Sequence, residues 1–217
     1  MYVGRIVAAG LTAQNKLAVM YRVSSRSYPS RTILPIGEAL AVVPKPGFEA
    51  DVFKSPFIAY NCLRKNGRYA VVGNGTQVDP VFEKLETGMS VRDALISVLY
   101  GLDYEHDERA TPRIVAVVDR NSREVALAVI RPDGLEVKIL ELGPGQYLYL
   151  STYEHNGISI AQGGDGFEIG SAEDGCAFVM AKGVFAGLTH PIASAAAFES
   201  DTGFDTACLA VSPVPQS

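Results

Sequence analysis

The 217-residue sequence has no tryptophan and few of the residues from which metal centres and disulfide frameworks are built. Its scarce sulfur and imidazole side chains lie far apart along the chain: Cys62, Cys176, Cys208, His106, His155 and His190. Metal-binding and disulfide-bonded cysteines usually recur at short, regular spacings. We therefore predict free thiols in a reducing cytoplasm, and no metal centre.

Long apolar runs are also missing. No stretch reaches the ~18–20 residues that a membrane span needs. The beginning, MYVGRIVAAGLTAQNK, does not have the layout of a signal peptide. A hydrophobic content of 47% with 20% charged residues is typical of a globular protein. We expect a cytoplasmic protein without membrane association, with one domain over residues 1–217 and a frayed tail at 208–217.

Acidic residues are absent from residues 1–37, although the whole chain has a net charge of −5. That segment contains Arg5, Lys16, Arg22, Arg26 and Arg31. Nucleic-acid binding requires a widespread positive face, so a local basic cluster on an acidic protein argues against it. The cluster favours a small anion such as a phosphate, a carboxylate or a nucleotide. Alternatively, these arginines pair with acids elsewhere in the chain.

Strand signals dominate two parts of the sequence. Short segments rich in Val, Ile and Tyr are bounded by Gly, Pro or Asn, which is typical of β-strands. They cover residues 2–9, 16–23, 31–36, 39–44, 57–64 and 68–74, and then 113–119, 124–130, 135–142 and 146–152. Asn66-Gly67 predicts a hairpin turn, because both residues tolerate positive φ.

Helices are predicted between and after the strands. One begins at Asp79-Pro80, and two more begin at Ser90 and Ser171, each with an acid at the capping-box position. The alanine-rich segment 191–200 predicts a further helix. Strands and helices in this order, mostly joined by hairpins, indicate an α+β or layered α/β/β/α domain with antiparallel sheets.

Several polar residues stand where a chemical role would explain them. The sequence has neither a phosphate-binding GxxxxGK[ST] loop nor a GxSxG nucleophile motif. Polar side chains instead follow or interrupt the strands: Arg22, Ser24, Ser25, Arg26, Tyr60, Asn61 and Asn74. Tyr60 and Asn61 lie on opposite faces of one strand, so one of them faces a polar environment.

The segment DYEHDE, residues 103–108, places four acids at the end of an apolar helix, where negative charge is unfavourable. Most of this run is interpreted as solvated surface. Alternatively, one of its acids lies in a pocket with a raised pKa, which is what a general base requires.

Eight segments resemble the archaeal-type inosine monophosphate (IMP) cyclohydrolase family. They are MYVGRIVAAG, YRVSSRSYPSRT, DVFKSPFIAYNC, VVGNGTQVDP, GMSVRDAL, LDYEHDERATPRI, STYE and GLTHPIASAAAF. They occur in the family's order and extend from Met1 to about Phe198. Because eight collinear segments are involved, the resemblance is more specific than any single motif.

The resemblance implies a fold like that of the N-terminal-nucleophile hydrolases, a four-layer αββα sandwich of two antiparallel sheets. It implies IMP cyclohydrolase activity, the last step of purine synthesis. In that reaction 5-formamidoimidazole-4-carboxamide ribonucleotide (FAICAR) closes its second ring and loses water to give IMP. It implies no metal or organic cofactor, and a purine ribonucleotide as the ligand. Exposed strand edges and the alanine-rich segment additionally suggest a homo-oligomer.

The resemblance and the residue chemistry together give role hypotheses. The catalytic candidates are Arg31, Tyr60 and Glu105. Arg31 could stabilise negative charge on the formyl oxygen or bind the phosphate, Tyr60 could donate a proton, and Glu105 could act as the base. The candidates for binding phosphate, ribose or carboxamide are Arg22, Ser24, Ser25, Arg26, Asn61, Asn74 and Arg113. Two alternatives remain, a nucleotide-binding protein without turnover and an amidase with an internal nucleophile. Tyr2 disfavours the amidase, since no Cys, Ser or Thr follows Met1.

Overall fold

The computed structural model describes residues 1–211, which form thirteen β-strands and three α-helices. The first strands are β1 (Ile6–Leu11), β2 (Leu17–Ser24), β3 (Arg31–Ile36), β4 (Ala39–Pro44), β5 (Tyr60–Lys65) and β6 (Tyr69–Gly73). Helices α1 (Val78–Glu86) and α2 (Val91–Leu102) follow. The rest are β7 (Arg113–Asp119), β8 (Val125–Arg131), β9 (Gly134–Leu140), β10 (Gln146–Ser151), β11 (Gly163–Gly164), α3 (Ala172–Ala181), β12 (Pro191–Glu199) and β13 (Phe204–Ala210).

The strands form two antiparallel sheets, as the hairpin connections predict. The six-stranded sheet has the order β11-β10-β1-β2-β12-β13, and the seven-stranded sheet has the order β3-β4-β5-β6-β7-β8-β9. Strand β2 is central in its sheet and is buried at every position. A strand buried on both faces needs a near-continuous apolar sequence, which explains LAVMYRVS.

Three apolar clusters hold these elements together. The largest lies between the two sheets, where residues such as Val19 and Tyr21 of β2 meet Leu63 of β5 and Val72 of β6. A second cluster joins α1 and α2 to the seven-stranded sheet, and a third joins α3 to the six-stranded sheet. Each sheet therefore packs on the other sheet with one face and on helices with the opposite face.

The predicted helix starts are confirmed for α2 and α3. The Ser90 hydroxyl accepts a hydrogen bond from the Asp93 amide at 3.1 Å, and Ser171 accepts one from Asp174 at the same distance. These caps satisfy amides that have no partner within the helix. Helix α1 begins at Val78, one residue before the predicted Asp79, without a side-chain cap.

The prediction of a helix over residues 191–200 is wrong, because Pro191–Glu199 forms β12 between β2 and β13. Alanine favours helices, but the pairing on both sides of this segment outweighs that preference. Small side chains also suit this position. A Cβ atom added to Gly175 of α3 would lie 3.0 Å from the Ala196 Cβ, so α3 packs closely on β12.

Two local predictions need correction. The β5–β6 hairpin forms, but neither Asn66 nor Gly67 has positive φ. The Asn66 side-chain oxygen closes the turn instead, by accepting hydrogen bonds from the amides of Arg68 and Tyr69 at 2.8 Å. At the C-terminal end, residues 208–210 belong to β13 rather than to a frayed tail. Residues 212–217 of that predicted tail lie outside the described residues.

No helix within residues 1–211 is both long enough and apolar enough to cross a lipid bilayer.

Candidate active site

A cavity of about 460 Å³ opens where the β2–β3 connection, the segment before β5 and the loop after α2 meet. Its volume is in the range of small-molecule sites. Its cationic lining residues are Arg5, Arg26, Arg31, Lys54 and Arg109, and its acidic ones are Glu105, Asp107 and Glu108. These cationic side chains differ in how deeply they are buried. Arg31 is buried and Arg5 largely so, whereas Arg26, Lys54 and Arg109 are exposed at the rim.

The deep end of the cavity contains a buried ion pair. An Arg5 Nη2 group donates to Glu105 Oε2 at 3.0 Å, and the Glu105 side chain is 1% exposed. The other carboxylate oxygen, Oε1, and the Arg5 Nε group are buried without a hydrogen-bond partner among the described residues. Unpaired buried polar atoms cost free energy. Beside a cavity, such atoms are suited to bind polar groups of a ligand.

The loop that holds Glu105 is rigidly built. The Glu105 amide donates to the Thr111 carbonyl at 2.8 Å, which forms an isolated antiparallel bridge. Asp107 accepts from the Thr111 amide at 2.9 Å and from its hydroxyl at 2.8 Å. Asp103 and Ala110 have φ of 59° and 47°, a region that non-glycine residues rarely adopt. Backbone strain of this kind concentrates at functional sites.

Burial raises the pKa of Glu105 above its ordinary value, although the nearby Arg5 and Arg113 charges act in the opposite direction. Desolvation disfavours the ionised form of a carboxyl group, and each positive charge favours it. The net result is a carboxylate that accepts a proton more readily than a solvated glutamate does. This is the property that the sequence left open for one acid of the segment 103–108.

Tyr60 is not among the residues that line the cavity. It is buried near Arg5 and Arg31, which do line it, and is hydrogen-bonded to a second tyrosine. The Tyr60 hydroxyl of β5 is 2.6 Å from the Tyr21 hydroxyl of β2, so the bond connects the two sheets. Burial raises the pKa of Tyr60, while the charges of Arg31 and Arg5 lower it. The Tyr60 phenol is therefore neutral near neutral pH. The nearby Arg31 and Arg5 would stabilise the negative charge that Tyr60 gains on donating its proton.

Arg31, the third catalytic candidate, lines the cavity together with Glu105. It begins β3, is 4% exposed and lines the cavity. Its Nε group donates to the Tyr28 carbonyl at 3.2 Å, and neither of its terminal nitrogens makes a hydrogen bond or ion pair among the described residues. A buried guanidinium with unused donors is well suited to bind an anionic oxygen.

Ser25 and Arg26 of the predicted binding set also line the cavity, nearer the rim. The Ser25 hydroxyl accepts from the Tyr28 amide at 2.9 Å, which shapes the β2–β3 connection. The Arg26 guanidinium lies 4.2 Å from the centre of the Tyr2 ring, and no carboxylate pairs with it within the described residues. The cavity thus offers a serine hydroxyl and exposed cationic side chains to an anion.

Arg22 and Ser24 do not line the cavity, and the partners of their side chains favour a structural role over the predicted ligand binding. Arg22 is fully buried and faces α3. Its donors reach the Ser24 hydroxyl at 3.0 Å and the backbone carbonyls of Met180 and Leu188 at 3.1 and 2.7 Å. Burial lowers the pKa of Arg22 to about 10. The pair is structural because every guanidinium nitrogen is already used.

Asn61 and Asn74 also have structural partners instead of facing the cavity. The Asn61 amide donates to the Asp79 carboxylate of α1 at 3.0 Å, on the face of β5 opposite Tyr60. The Asn74 amide donates to the Pro112 carbonyl at 2.9 Å, and its oxygen accepts from the Ile114 amide at 2.8 Å. Asn74 thereby ties the end of β6 to β7.

Arg113 lies behind Glu105 rather than in the cavity wall. Its Nη1 group is 3.9 Å from Glu105 Oε1, which is too long for a hydrogen bond. Its other contacts are the Asp103 carbonyl at 2.8 Å and the Gln77 side chain at 3.1 Å. Arg113 therefore acts on the Glu105 carboxylate through its charge.

Sequence reasoning missed several residues of the site, among them Arg5, Tyr21 and Tyr153. Arg5 is one of the five basic residues of the acid-free N-terminal segment and directly precedes the apolar strand β1. Its position was a usable signal. Tyr21 sits in an apolar strand pattern, and Tyr153 lies in the segment STYE. Nothing in the sequence places either tyrosine beside Tyr60 or Arg5.

Within residues 1–211, no group of three or more His, Cys, Asp or Glu side chains is arranged to hold a metal ion.

Comparison with known proteins gives a consistent answer. The family model for IMP cyclohydrolase-like proteins matches residues 2–203. Among similar proteins, an IMP cyclohydrolase from Methanosphaera stadtmanae is 35% identical over 201 residues, which cover 93% of this chain and 96% of that protein. The IMP cyclohydrolase of Methanothrix thermoacetophila is 39% identical over 209 residues, covering 95% and 98%. That of Methanocella arvoryzae is 40% identical over 207 residues, covering 94% and 96%.

The match extends over nearly the whole chain and includes, apart from Met1, every segment on which the resemblance was based. The identity is far above the level at which chance similarity is a concern over this length. The resemblance predicted from the sequence is confirmed: this chain belongs to the IMP cyclohydrolase-like family.

Proposed function

We propose that this chain is an IMP cyclohydrolase, which closes the second ring of FAICAR with loss of water to give IMP. Family membership supports the activity, and one structural observation carries its location. The Arg5–Glu105 pair lies at the deep end of the cavity with one carboxylate oxygen unpaired, beside Arg31 and Tyr60. A base, a cation and a proton donor are thereby gathered in one place.

The reaction sets clear chemical requirements. The carboxamide nitrogen attacks the formyl carbon within one molecule, so the reacting groups are already close. The nitrogen must lose a proton, and the formyl oxygen must gain negative charge and then protons before it leaves as water. The departing water takes one hydrogen from the carboxamide nitrogen and one from the formamido nitrogen.

Glu105 meets the first requirement. Arg5 holds only Oε2, so Oε1 is available to accept a hydrogen bond from the carboxamide N–H. The raised pKa of Glu105 brings its basicity nearer to what proton removal at neutral pH requires. The unpaired Nε of Arg5 supplies a complementary donor for the carboxamide oxygen.

Arg31 and Tyr60 meet the second requirement. As the C–N bond forms, the π electrons of the formyl group move to its oxygen, and Tyr60 transfers its proton there. Arg31 stabilises the charge that develops during this transfer. Glu105 then returns its proton to the departing hydroxyl, which leaves as water. The formamido nitrogen gives its proton to the Tyr60 phenolate, so both residues recover their starting states.

The rim is assigned to the 5′-phosphate. Arg26 and Lys54 are exposed at the mouth of the cavity, and Ser25 and Ser27 line the same cavity. A phosphate dianion prefers several charge-assisted contacts. Binding energy from this end holds the base with its formyl group at the deep end.

The wider predictions remain proposals. The order of helices, sheets and helices supports a four-layer αββα architecture resembling the N-terminal-nucleophile hydrolases. The family match over residues 2–203 supports a single domain. Self-association remains a prediction, and so does the cytoplasmic location. The edge strands of the two sheets are β11, β13, β3 and β9.

The proposed function is tested by incubating the purified protein with FAICAR and following IMP formation. We expect ring closure to be accelerated at least about a thousandfold over the spontaneous reaction, because even modest enzymes exceed that. A protein that binds FAICAR or IMP without accelerating closure would be the nucleotide-binding alternative. Ammonia release from amide substrates would indicate the amidase.

Replacing the rim arginine separates binding from chemistry. Arg26→Ala is expected to raise KM about 10-fold with kcat nearly unchanged, because a charge-assisted contact to phosphate is worth about 1.5 kcal/mol. Steady-state kinetics with FAICAR checks this. The matched control is Arg92→Ala, an exposed arginine of α2 paired with Asp93 and outside the cavity. Equal KM values for the two variants would remove Arg26 from the phosphate site.

A further inference from the structure

The Tyr21 hydroxyl is a polar group in an apolar place. Tyr21 is fully buried in the cluster between the two sheets, among residues such as Val19, Val23 and Leu63. Its only hydrogen-bond partner among the described residues is the Tyr60 hydroxyl at 2.6 Å. The two rings meet edge to face, with centroids 6.5 Å apart. A phenylalanine would fill the same space without the cost of burying a hydroxyl.

The two hydroxyls share one hydrogen bond but have two protons. If Tyr60 donated to Tyr21, the Tyr21 proton would lie in the apolar core without an acceptor, which is costly. If Tyr21 donates to Tyr60, its own proton is satisfied and the Tyr60 proton is free to point elsewhere. Tyr21 is 0% exposed, whereas Tyr60 is 7% exposed and lies near Arg5 and Arg31, which line the cavity. The second arrangement is favoured because it leaves the free proton on the phenol nearer the cavity.

The charges around the pair add to this preference. Arg31 from β3 and Arg5 from the segment before β1 act on Tyr60, and Cys62 is the other titratable group near it. Arg5, Cys62 and Tyr60 are the groups near Tyr21. No carboxylate faces either phenol closely enough to accept a proton from it in a hydrogen bond. The free Tyr60 proton thus has no acceptor until a ligand supplies one.

We propose that Tyr21 is a positioning residue for ring closure: by donating to Tyr60, it directs the Tyr60 proton into the cavity, toward the formyl oxygen of the substrate. This inference rests on the proposed function. It also assigns Tyr21 a second effect. When Tyr60 has given up its proton, the hydrogen bond from Tyr21 stabilises the phenolate together with the two arginines.

Tyr21→Phe is the decisive variant. We expect kcat to fall about 10-fold with KM within about 2-fold, since one hydrogen bond to the reacting phenol is lost. In the Tyr60→Phe background the same change should have no further effect on kcat, because the residue acts through Tyr60. The control is Tyr149→Phe, which removes a buried tyrosine hydroxyl bonded to His155 at 2.8 Å in the other cluster of the same sheet. It should leave kcat unchanged.

A readout without substrate separates this inference from the proposed function. In protein labelled with ¹³C at the tyrosine ring carbon that bears the hydroxyl, a pH titration reports each phenol. Wild-type Tyr21 is expected to keep its proton at pH values where Tyr60 has lost its own, and Tyr21→Phe should raise the Tyr60 midpoint. The wild-type titration applies even if the variant folds poorly.

Three results would overturn the inference. Tyr21 could ionise before Tyr60 in the wild-type protein, or the Tyr60 midpoint could be unmoved in Tyr21→Phe. Alternatively, Tyr21→Phe could melt at a lower temperature with unchanged kcat, which is the behaviour of a purely structural residue. If wild-type protein does not close the ring at all, the proposed function fails, whereas the two titrations still decide the direction of the hydrogen bond.

Discussion

Glu105→Gln is expected to lower kcat for ring closure by about 100- to 10,000-fold, the range attributed to a positioned general base. The amide keeps the shape of the side chain but cannot take the proton of the carboxamide nitrogen. In wild-type protein the rate should fall with decreasing pH as Glu105 becomes protonated. Because burial raises the pKa of this carboxyl, that loss occurs at a higher pH than for a solvated glutamate. Glu105→Gln should lack this acid limb.

A loss of structure must be separated from a loss of the base. Replacing Glu105 leaves the Arg5 charge without its partner, which is itself destabilising. Kinetics should therefore be measured below the melting temperature of the variant, with Glu108→Gln at the rim as the control. An acid limb of unchanged position in Glu105→Gln would show that another group is the base.

Arg22→Met is expected to lower the free energy of unfolding by about 3–5 kcal/mol, although Arg22 belongs to the basic cluster that suggested a ligand site. The guanidinium donates to the carbonyls of Val179 and Met180 in the last turn of α3 and to Phe185, Leu188 and Thr189 beyond it. Carbonyls at a helix C-terminus have no partner within the helix. Removing the guanidinium leaves them buried and unsatisfied.

Denaturant unfolding measures this loss, and Arg26→Met is the matched control. Arg26 is exposed at the cavity rim, so its replacement should change stability by less than about 0.5 kcal/mol. The two substitutions are therefore expected to have opposite effects. Replacing Arg22 lowers stability with little change in KM, and replacing Arg26 raises KM with little change in stability. A normally stable Arg22→Met protein with a raised KM would restore Arg22 to the ligand site.

Much of the fold follows from local signals in the sequence. Strands β1 to β10, the caps at Ser90 and Ser171 and the hairpin connections depend on patterns within about ten residues. Segment 191–199 could not be predicted this way. Its alanines favour a helix in isolation, and its strand character comes from pairing with β2 and β13, which are distant in sequence.

The candidate site shows the same division. Composition indicated an anion-binding segment, and Ser25, Arg26 and Arg31 of that segment line the cavity. Composition could not separate Arg22 from Arg26. Arg22 lies within β2 and is buried against α3, whereas Arg26 lies in the connection after β2 and is exposed. Arg5 and Tyr21 reach the site through contacts between elements more than 35 residues apart along the chain, which no local pattern encodes.

The structure of the protein with IMP bound tests the central claim most directly. The account predicts the purine ring at the deep end, with the former carboxamide nitrogen within hydrogen-bond distance of Glu105 and the former formyl carbon near Tyr60 and Arg31. It predicts the 5′-phosphate at the rim, in contact with Arg26. IMP bound outside this cavity, or bound with its phosphate against Glu105 and its base at the rim, would contradict the account.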